Sequence, residues 1–350
     1  MIQDIEINNI KIGKTHKPFV IAEMSGNHNQ SLDRALEIVE AAANAGAHAI
    51  KLQTYTPDTM TINSTGGLFD INDATSLWNG RNLYDLYKEA HTPWEWHQPI
   101  FEKAKSLGLI VFSTPFDESA VDFLETLNVP AYKIASFENT DWPLLIKVAK
   151  TGKPVIMSTG LAKLSDIDEA VNILRNNGCT NLVLLKCTST YPATPENTHL
   201  NTIPHLRDMF HCHVGLSDHT MGIGAAIAAV ALGACVIEKH FTLRRADGGV
   251  DSTFSIEPEE LKLLVIESER AFLAMGKIYY GVQKEETKSL RFKRSIYIVK
   301  DIKAGEVFTK DNLRVIRPGD GLQPKHYETL LGKKASKDIN AGTPFSWEIL

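Results

Sequence analysis

Short apolar runs that end in polar or charged residues recur eight times along the chain. The runs occupy residues 20–25, 49–54, 110–114, 131–136, 155–159, 182–187, 214–219 and 235–240. A stretch with helical periodicity and Gly or Pro punctuation follows each of them. This alternation predicts a (β/α)8 barrel, also called a TIM barrel, whose chemistry lies at the C-terminal ends of its strands. The polar residues that end the runs are therefore candidates for one shared pocket.

Three segments do not fit the regular alternation of strands and helices. Alternation at residues 5–12 predicts a small hairpin within residues 1–18, and about 55 residues separate the second run from the third. The excess, residues 57–87, is rich in Gly, Asp and Asn, and it predicts an elaborate loop on the active-site face. We expect the barrel to occupy residues 1–283 and a polar linker to follow at 284–292.

The last part of the chain, residues 293–350, has a different character. Residues 300–313 and 337–350 are identical at seven of fourteen positions. A two-fold repeat of short strand, Ala-Gly turn and helical turn predicts a small, pseudosymmetric, β-rich domain. It is too small to be the catalytic body.

Composition narrows the functional class. The net charge is −5, from 37 Lys and Arg against 42 Asp and Glu, without a basic stripe, which argues against nucleic acid as a partner. No apolar run approaches the roughly 20 residues of a membrane span, and the N-terminus lacks the pattern of a signal peptide. We therefore expect a cytoplasmic enzyme without a membrane partner, and four reduced, mostly buried cysteines.

Two histidines end neighbouring predicted strands. His219 and His240 follow the seventh and eighth runs, and imidazoles at adjacent strand ends can converge on one divalent metal. Glu238 shares a strand face with His240 and could meet the same pocket. The alternative is that the segment around His219 only caps a helix, and that Glu238 only pairs with a lysine.

Lysines inside apolar strands need a partner, because an unpaired buried ammonium is costly. The lysines in question are Lys51, Lys133, Lys186 and Lys239. One interpretation is a dianion site, such as a phosphate site, completed by the hydroxyls of Ser136, Ser158 and Ser217. A second is internal ion pairing with Glu23, Glu138 or Glu238. A third is a Schiff-base lysine, as in aldolase barrels.

Carboxylates complete the candidate chemistry. Glu23, near the end of the first run, could act as a general base or sugar-hydroxyl acceptor, or could merely orient a lysine. Asp251 lies in a Gly-containing loop after His240, which is well placed to meet a substrate, although most Asp-Gly loops are only turns.

Several of these segments together resemble the sialic acid synthase family, which condenses phosphoenolpyruvate with an N-acylated amino sugar. The matching segments are IAEMSGNH at 21–28, KLQ at 51–53, FSTPF at 112–116, YKIAS at 132–136, MSTG at 157–160, CTSTYP at 187–192, GLSDH at 215–219 and EKHF at 238–241. The terminal repeat, with RPGDG at 317–321, resembles the antifreeze-like SAF domain of that family, which has a β-clip fold. The resemblance covers essentially the whole chain.

Within that family, three segments are closer to the pseudaminic acid synthases than to the sialic acid synthases. They are CTSTYP at 187–192, LWNGRNLY at 77–84 and GLQPK at 321–325. Sialic acid synthases tend to carry Asn at the position of Ser189, where it helps to hold the phosphate. Here Ser189 either holds the phosphate with a shorter reach or loses the contact, and both interpretations argue against N-acetylmannosamine as the acceptor. Sialic acid and legionaminic acid synthesis are the alternatives.

The resemblance also implies roles for individual residues. Phosphoenolpyruvate would be held by Lys51, Thr114, Lys133, Ser136, Ser158, Ser189 and Ser217. The sugar or the metal-bound water would face Glu23, Gln53, Glu138, Tyr191, Glu238 and Asp251. His219 and His240 would bind a divalent metal, usually Mn²⁺. Arg317 would reach the sugar in the barrel of a partner subunit, because the family forms domain-swapped homodimers.

Overall fold

The computed structural model describes residues 2–350 and divides the chain into two compact units at Gly276. No helix within the described residues is long and apolar enough to cross a membrane. All four cysteines are buried and free.

The first unit contains a two-stranded hairpin and a closed parallel barrel. The hairpin consists of β1 (Ile5–Ile7) and β2 (Ile10–Ile12). The barrel consists of β3 (Phe19–Glu23), β4 (Ala49–Thr54), β5 (Ile110–Pro115), β6 (Tyr132–Ile134), β7 (Val155–Ser158), β8 (Leu182–Cys187), β9 (His213–Asp218) and β10 (Val236–His240). Each strand pairs in parallel with the next along the chain, and β10 closes the barrel against β3. The predicted (β/α)8 fold is confirmed.

Helices surround this barrel. They are α1 (Leu32–Asn44), α2 (Pro57–Met60), α3 (Leu83–Ala90), α4 (Trp94–Ser106), α5 (Glu118–Thr126), α6 (Trp142–Ala149), α7 (Leu164–Asn176), α8 (Thr202–Phe210), α9 (Gly224–Ala231) and α10 (Pro258–Met275). Helix α1 illustrates how the sequence specifies these helices. Ser31 caps it by accepting a hydrogen bond from Arg34 N, and one face of the helix is buried through Ala35, Ile38, Val39 and Ala42.

The hairpin covers the N-terminal ends of the barrel strands, away from the polar strand ends. Ile5, Ile7 and Ile12 are buried in the same apolar core as the barrel strands. His213, the first residue of β9, lies 2.8 Å from the Gln3 carbonyl oxygen through its Nε2. Only the C-terminal end of the barrel is therefore left for a pocket.

The insertion between β4 and β5 is more ordered than the sequence predicts. The predicted loop at 57–87 contains α2, a 3-10 turn at Gly67–Phe69 and most of α3. Asn82 caps the start of α3, because its side chain accepts a hydrogen bond from Tyr84 N. The abundance of Asn and Asp in this segment had favoured a turn instead. The loop prediction is wrong for residues 57–60 and 83–87, which are helical.

The second unit has its own small core. It contains β11 (Ser295–Ile298), antiparallel to β12 (Leu313–Ile316), and the short α11 (Tyr327–Leu330). The two sequence repeats face each other, since Ile302 and Ile339 exchange backbone hydrogen bonds of 2.9 Å. Phe308 and Phe345, which are equivalent in the repeats, pack edge to face in the core. The segment predicted as a linker forms a 3-10 helix, Lys284–Phe292.

Gly215 in β9 is required by close packing of the barrel. A Cβ atom there would lie 2.2 Å from the Val236 carbonyl oxygen and 2.6 Å from the Leu185 side chain. We expect Gly215→Ala to lower the free energy of unfolding by about 1–3 kcal/mol, because backbone cannot move aside. Thermal unfolding measures the effect. Gly224→Ala is the control, since a Cβ at this helical position meets nothing within 4 Å; equal melting temperatures for both variants would contradict the packing argument.

Candidate active site

A cavity of about 320 Å³ opens at the C-terminal ends of the barrel strands. Fourteen of the residues predicted to act on substrate or metal line it: Glu23, Lys51, Gln53, Thr114, Lys133, Ser136, Glu138, Ser158, Tyr191, Ser217, His219, Glu238, His240 and Asp251. Ser189 lies beside the cavity, and Arg317 belongs to the second unit. The polar strand ends thus share one pocket.

Buried charges alternate across the base of the pocket. Lys51 Nζ contacts the Glu23 carboxylate and lies 3.9 Å from Glu238 Oε2. Lys133 Nζ lies 3.6 Å from Glu238 Oε1, so Glu238 bridges the two ammonium groups. Because the four side chains are all buried, each charge depends on its neighbours for compensation.

The two glutamates are driven in opposite directions. Burial raises the pKa of Glu23 to about 7, although the Lys51 ammonium opposes the shift. Burial also acts on Glu238, but Lys133 and Lys51 outweigh it and hold the pKa of that carboxyl below its usual value. Glu23 is therefore the carboxyl that can exchange a proton near neutral pH, while Glu238 stays charged.

Hydroxyl groups surround the two lysines. Lys51 Nζ donates to Thr114 Oγ1 at 2.9 Å, and Lys133 Nζ donates to Ser158 Oγ at 2.7 Å. Ser136 Oγ accepts a 3.1 Å hydrogen bond from Gly160 N. A Cβ atom on Gly160 would lie 2.2 Å from Ser189 Oγ and 2.6 Å from Ser136 Oγ, so a side chain here would displace both hydroxyls. Two ammonium groups with converging hydroxyls provide the donors that a small dianion requires.

The two predicted metal ligands lie side by side in the lining of the pocket. The ring centroids of His219 and His240 are 5.3 Å apart. His219 Nδ1 lies 3.0 Å from the Thr188 carbonyl oxygen; with the proton on Nδ1, this hydrogen bond leaves the Nε2 lone pair free. His240 Nδ1 is buried without a hydrogen-bond partner, and burial holds the pKa of this imidazole well below its usual value.

Two imidazoles with open positions beside them fit a divalent metal such as Mn²⁺, which binds the neutral form of each ring. Within the described residues there is no group of three or more His, Cys, Asp or Glu side chains that could hold an ion. Substrate or water would have to complete the coordination of a metal held by His219 and His240.

One side of the pocket is aromatic and contains residues that the sequence did not single out. Tyr191 packs against His219 with its ring tilted by 56° and 4.5 Å between ring centroids, and it also packs against Phe254 and Trp78. Trp78 Nε1 donates to the Val250 carbonyl oxygen at 3.0 Å, which ties the insertion to the loop that carries Asp251. Asp251 itself accepts a hydrogen bond from Ser25 Oγ.

The insertion also supplies an apolar wall. Met60, Ile71, Trp78, Leu83 and Leu86 line the pocket, and all five belong to residues 57–87 or the adjoining helix. The signal in the sequence was the presence of large apolar residues in a segment that otherwise read as polar loop. Cys187 lines the pocket too, with Sγ 3.6 Å from Ser189 Oγ.

The structure separates the four strand lysines into two pairs. Lys51 and Lys133 point into the barrel, where they line the cavity and also pair with glutamates. A dianion site and internal ion pairing are therefore compatible interpretations of these two lysines. Lys186 donates to Thr188 Oγ1 and to the Cys187 carbonyl oxygen, and Lys239 pairs with Asp218. Neither of these latter two lysines lines the pocket.

A (β/α)8 barrel with paired lysines, hydroxyls and two imidazoles at its C-terminal end has the features of an enzyme site. The chain belongs to the NeuB family, which it matches over residues 38–280, and residues 293–350 match the SAF domain. The family and the SAF domain predicted from sequence motifs are confirmed.

Individual relatives refine this assignment. A pseudaminic acid synthase of Campylobacter jejuni subsp. jejuni serotype O:2 is 46% identical over 97% of each chain. An N,N'-diacetyllegionaminic acid synthase of the same strain is 39% identical over 92% of this chain and 97% of its own. The crystal structure of an N-acetylneuraminic acid (sialic acid) synthetase from Leptospira borgpetersenii serovar Hardjo-bovis, in complex with citrate, has a TM-score of 0.74 at 33% identity, covering 83% of this chain and 95% of that one.

Glu138 provides a test of the electrostatics at the pocket rim. Its Oε2 atom is buried without a hydrogen-bond partner, and burial raises the pKa to about 7 against the pull of Lys133. The folded protein therefore keeps a proton that the unfolded chain releases above about pH 4.5, so this group lowers stability as pH rises from there to about 7.

We expect Glu138→Gln to remove that penalty. The melting temperature of the variant, relative to wild type, should be higher at about pH 8 than at about pH 5. Glu196→Gln, at an exposed position, is the matched control and should show no such dependence. A constant difference between wild type and Glu138→Gln over this range would mean that Glu138 is not held protonated.

Proposed function

We propose that this protein is a pseudaminic acid synthase. It condenses phosphoenolpyruvate with 2,4-diacetamido-2,4,6-trideoxy-β-L-altropyranose and water, and releases pseudaminic acid and phosphate by C–O cleavage. The observation that carries the proposal is the pair of buried lysines beside converging hydroxyls, in a chain 46% identical to a pseudaminic acid synthase. The lower identity to the legionaminic acid synthase of the same strain favours this acceptor.

The phosphate of phosphoenolpyruvate would occupy the lysine side of the pocket. Lys51 and Lys133 supply charge, and the hydroxyls that surround them supply hydrogen bonds from Thr114, Ser136, Ser158, Ser189 and Ser217. Binding adds a dianion to a site where the lysines already have carboxylate partners. Glu23 and Glu238 would then share the two ammonium groups with the phosphate.

The sugar would occupy the rest of the pocket. Gln53, Glu138, Tyr191, Glu238 and Asp251 offer hydrogen bonds to its hydroxyl and acetamido groups, while the apolar wall of the insertion suits its 6-deoxy methyl group. His219 and His240 would hold a divalent metal, most suitably Mn²⁺, which when bound polarises the aldehyde oxygen of the open-chain sugar.

In the proposed reaction, C3 of phosphoenolpyruvate attacks the aldehyde carbon, and the aldehyde oxygen takes up a proton from solvent to become a hydroxyl. Water adds to C2, and Glu23 accepts its proton. The tetrahedral intermediate expels phosphate by breaking the C2–O bond, which leaves a nine-carbon 2-keto-3-deoxy acid. Lys51 and Lys133 stabilise the phosphate charge throughout, so no lysine Schiff base forms.

The acceptor is tested by incubating the purified protein with phosphoenolpyruvate and one amino sugar at a time. We expect phosphate release with the trideoxy altrose sugar and at most slow release with N-acetylmannosamine or the legionaminic acid precursor. Mass spectrometry of the product identifies the acid. Turnover with N-acetylmannosamine alone would make the protein a sialic acid synthase instead.

The metal is tested by treatment with EDTA. Activity should be lost and should return with Mn²⁺ in wild type, whereas His240→Ala should stay inactive because it lacks one of the two imidazoles. His205→Ala, on the exposed side of α8, is the control and should behave as wild type. Activity that is indifferent to EDTA, together with borohydride trapping of a lysine, would favour the Schiff-base alternative.

We also propose a domain-swapped homodimer in which Arg317 completes the sugar site of the partner subunit. Arg317→Ala should then raise the sugar KM or abolish turnover while the fold is retained. Mixing it with His240→Ala should restore about a quarter of wild-type activity, because half of the reassociated dimers are mixed and each holds one intact site. No restoration, despite demonstrated subunit exchange, would argue against the swap.

A further inference from the structure

A second charged pair lies directly behind the two histidines, on the opposite face of the same strands. Lys239 and Asp218 are partners in the register of β10 and β9, and their side chains point away from the pocket. The side chain of Lys239 is 0% exposed and that of Asp218 is 1% exposed. The pair is therefore separate from the lysines and glutamates that line the cavity.

The hydrogen bonds of this pair involve the residues on either side of His219, Asp218 and Thr220. Lys239 Nζ donates to Asp218 Oδ2 at 2.8 Å and to the Thr220 carbonyl oxygen at 2.5 Å. Asp218 Oδ1 accepts from Thr220 N at 2.9 Å and from Thr220 Oγ1 at 2.8 Å. One ammonium group thus holds both chain neighbours of His219, and it belongs to the residue that precedes His240.

We infer that the Asp218–Lys239 pair positions His219 and His240 relative to each other for metal binding. This inference rests on the proposal that these two histidines hold the metal. The paired register of β9 and β10 ends at Asp218 and Lys239, so it does not extend to the two histidines that follow them. Lys239 adds a side-chain link between the two strand ends at this point, and so fixes the separation of the two rings.

A fully buried ion pair adds little stability by itself, because desolvation of the two charges offsets their attraction. Replacing both partners with neutral groups of similar size is often neutral for stability, whereas removing one leaves an uncompensated charge. The double variant Asp218→Asn/Lys239→Met uses this difference. It keeps an acceptor for Thr220 N and leaves no lone charge, but it removes the link from Lys239 to the Thr220 carbonyl.

The measurement is Mn²⁺ affinity of the metal-free protein without substrates, followed by the electron paramagnetic resonance signal of free Mn²⁺. We expect the double variant to bind about 10-fold or more weakly, the range found when groups that orient metal ligands are altered, with a melting temperature near wild type. The matched control is Asp122→Asn/Lys147→Met, an exposed pair of the same charges, which should leave the affinity unchanged.

The outcomes separate the two proposals. If wild type binds no Mn²⁺, the proposed metal site itself is wrong. If wild type binds and the double variant binds equally well, the positioning role is overturned, whatever the melting temperature. If the double variant does not fold, Thr220→Val decides: it keeps both charges and removes one hydrogen bond to Asp218, so binding should weaken about threefold, and an unchanged affinity overturns the inference.

Discussion

The pocket depends on mutual compensation of charges that are buried together. An isolated ammonium or carboxylate in the barrel would carry a desolvation cost of several kcal/mol, which the pairing of Lys51 and Lys133 with Glu23 and Glu238 offsets. The same arrangement keeps the site responsive. Burial raises the pKa of Glu23 to about 7, so a proton can be taken up or released without exposing the other charges to water.

Strand alternation assigns the charged residues of neighbouring strands to different tasks. In β10, Glu238 and His240 point into the pocket while Lys239, between them, points outward; in β9, Ser217 lines the pocket while Asp218 points outward. Because side chains alternate between the two faces of a strand, the residues that line the pocket and the Asp218–Lys239 pair are only one residue apart in sequence. The helices that cover the outer face exclude water from the Asp218–Lys239 pair, so direct hydrogen bonds rather than solvent hold its geometry.

Much of this could be predicted from the sequence, because parallel strands covered on both faces are apolar until they reach a pocket. The runs at 20–25, 182–187 and 235–240 correspond to the strands Phe19–Glu23, Leu182–Cys187 and Val236–His240, and their polar ends converge as expected. A single sequence could not show toward which face of the barrel each lysine points. Lys133 and Lys239 both lie within apolar strands, yet Lys133 lines the cavity and Lys239 lies behind it. Pairing with Glu238 or Asp218 is a tertiary property. The ordered part of the insertion was missed for a related reason, since Asn82 caps a helix with the same chemistry that makes a turn.

The pocket has two walls of different origin, and they suit different parts of the proposed reaction. The barrel strands supply the lysines, hydroxyls, carboxylates and imidazoles, on elements held rigid by the closed sheet and its core. The insertion supplies Met60, Ile71, Trp78, Leu83 and Leu86, which carry no charge and cannot take part in proton or phosphate chemistry. An apolar wall discriminates between sugars through shape and through the desolvation of their hydroxyls, because a hydroxyl that meets it loses hydrogen bonds to water without replacement. On this reasoning, the proposed condensation with phosphoenolpyruvate would depend on the barrel, whereas the proposed preference for a deoxy sugar would be set by the insertion and could change without disturbing the buried charges.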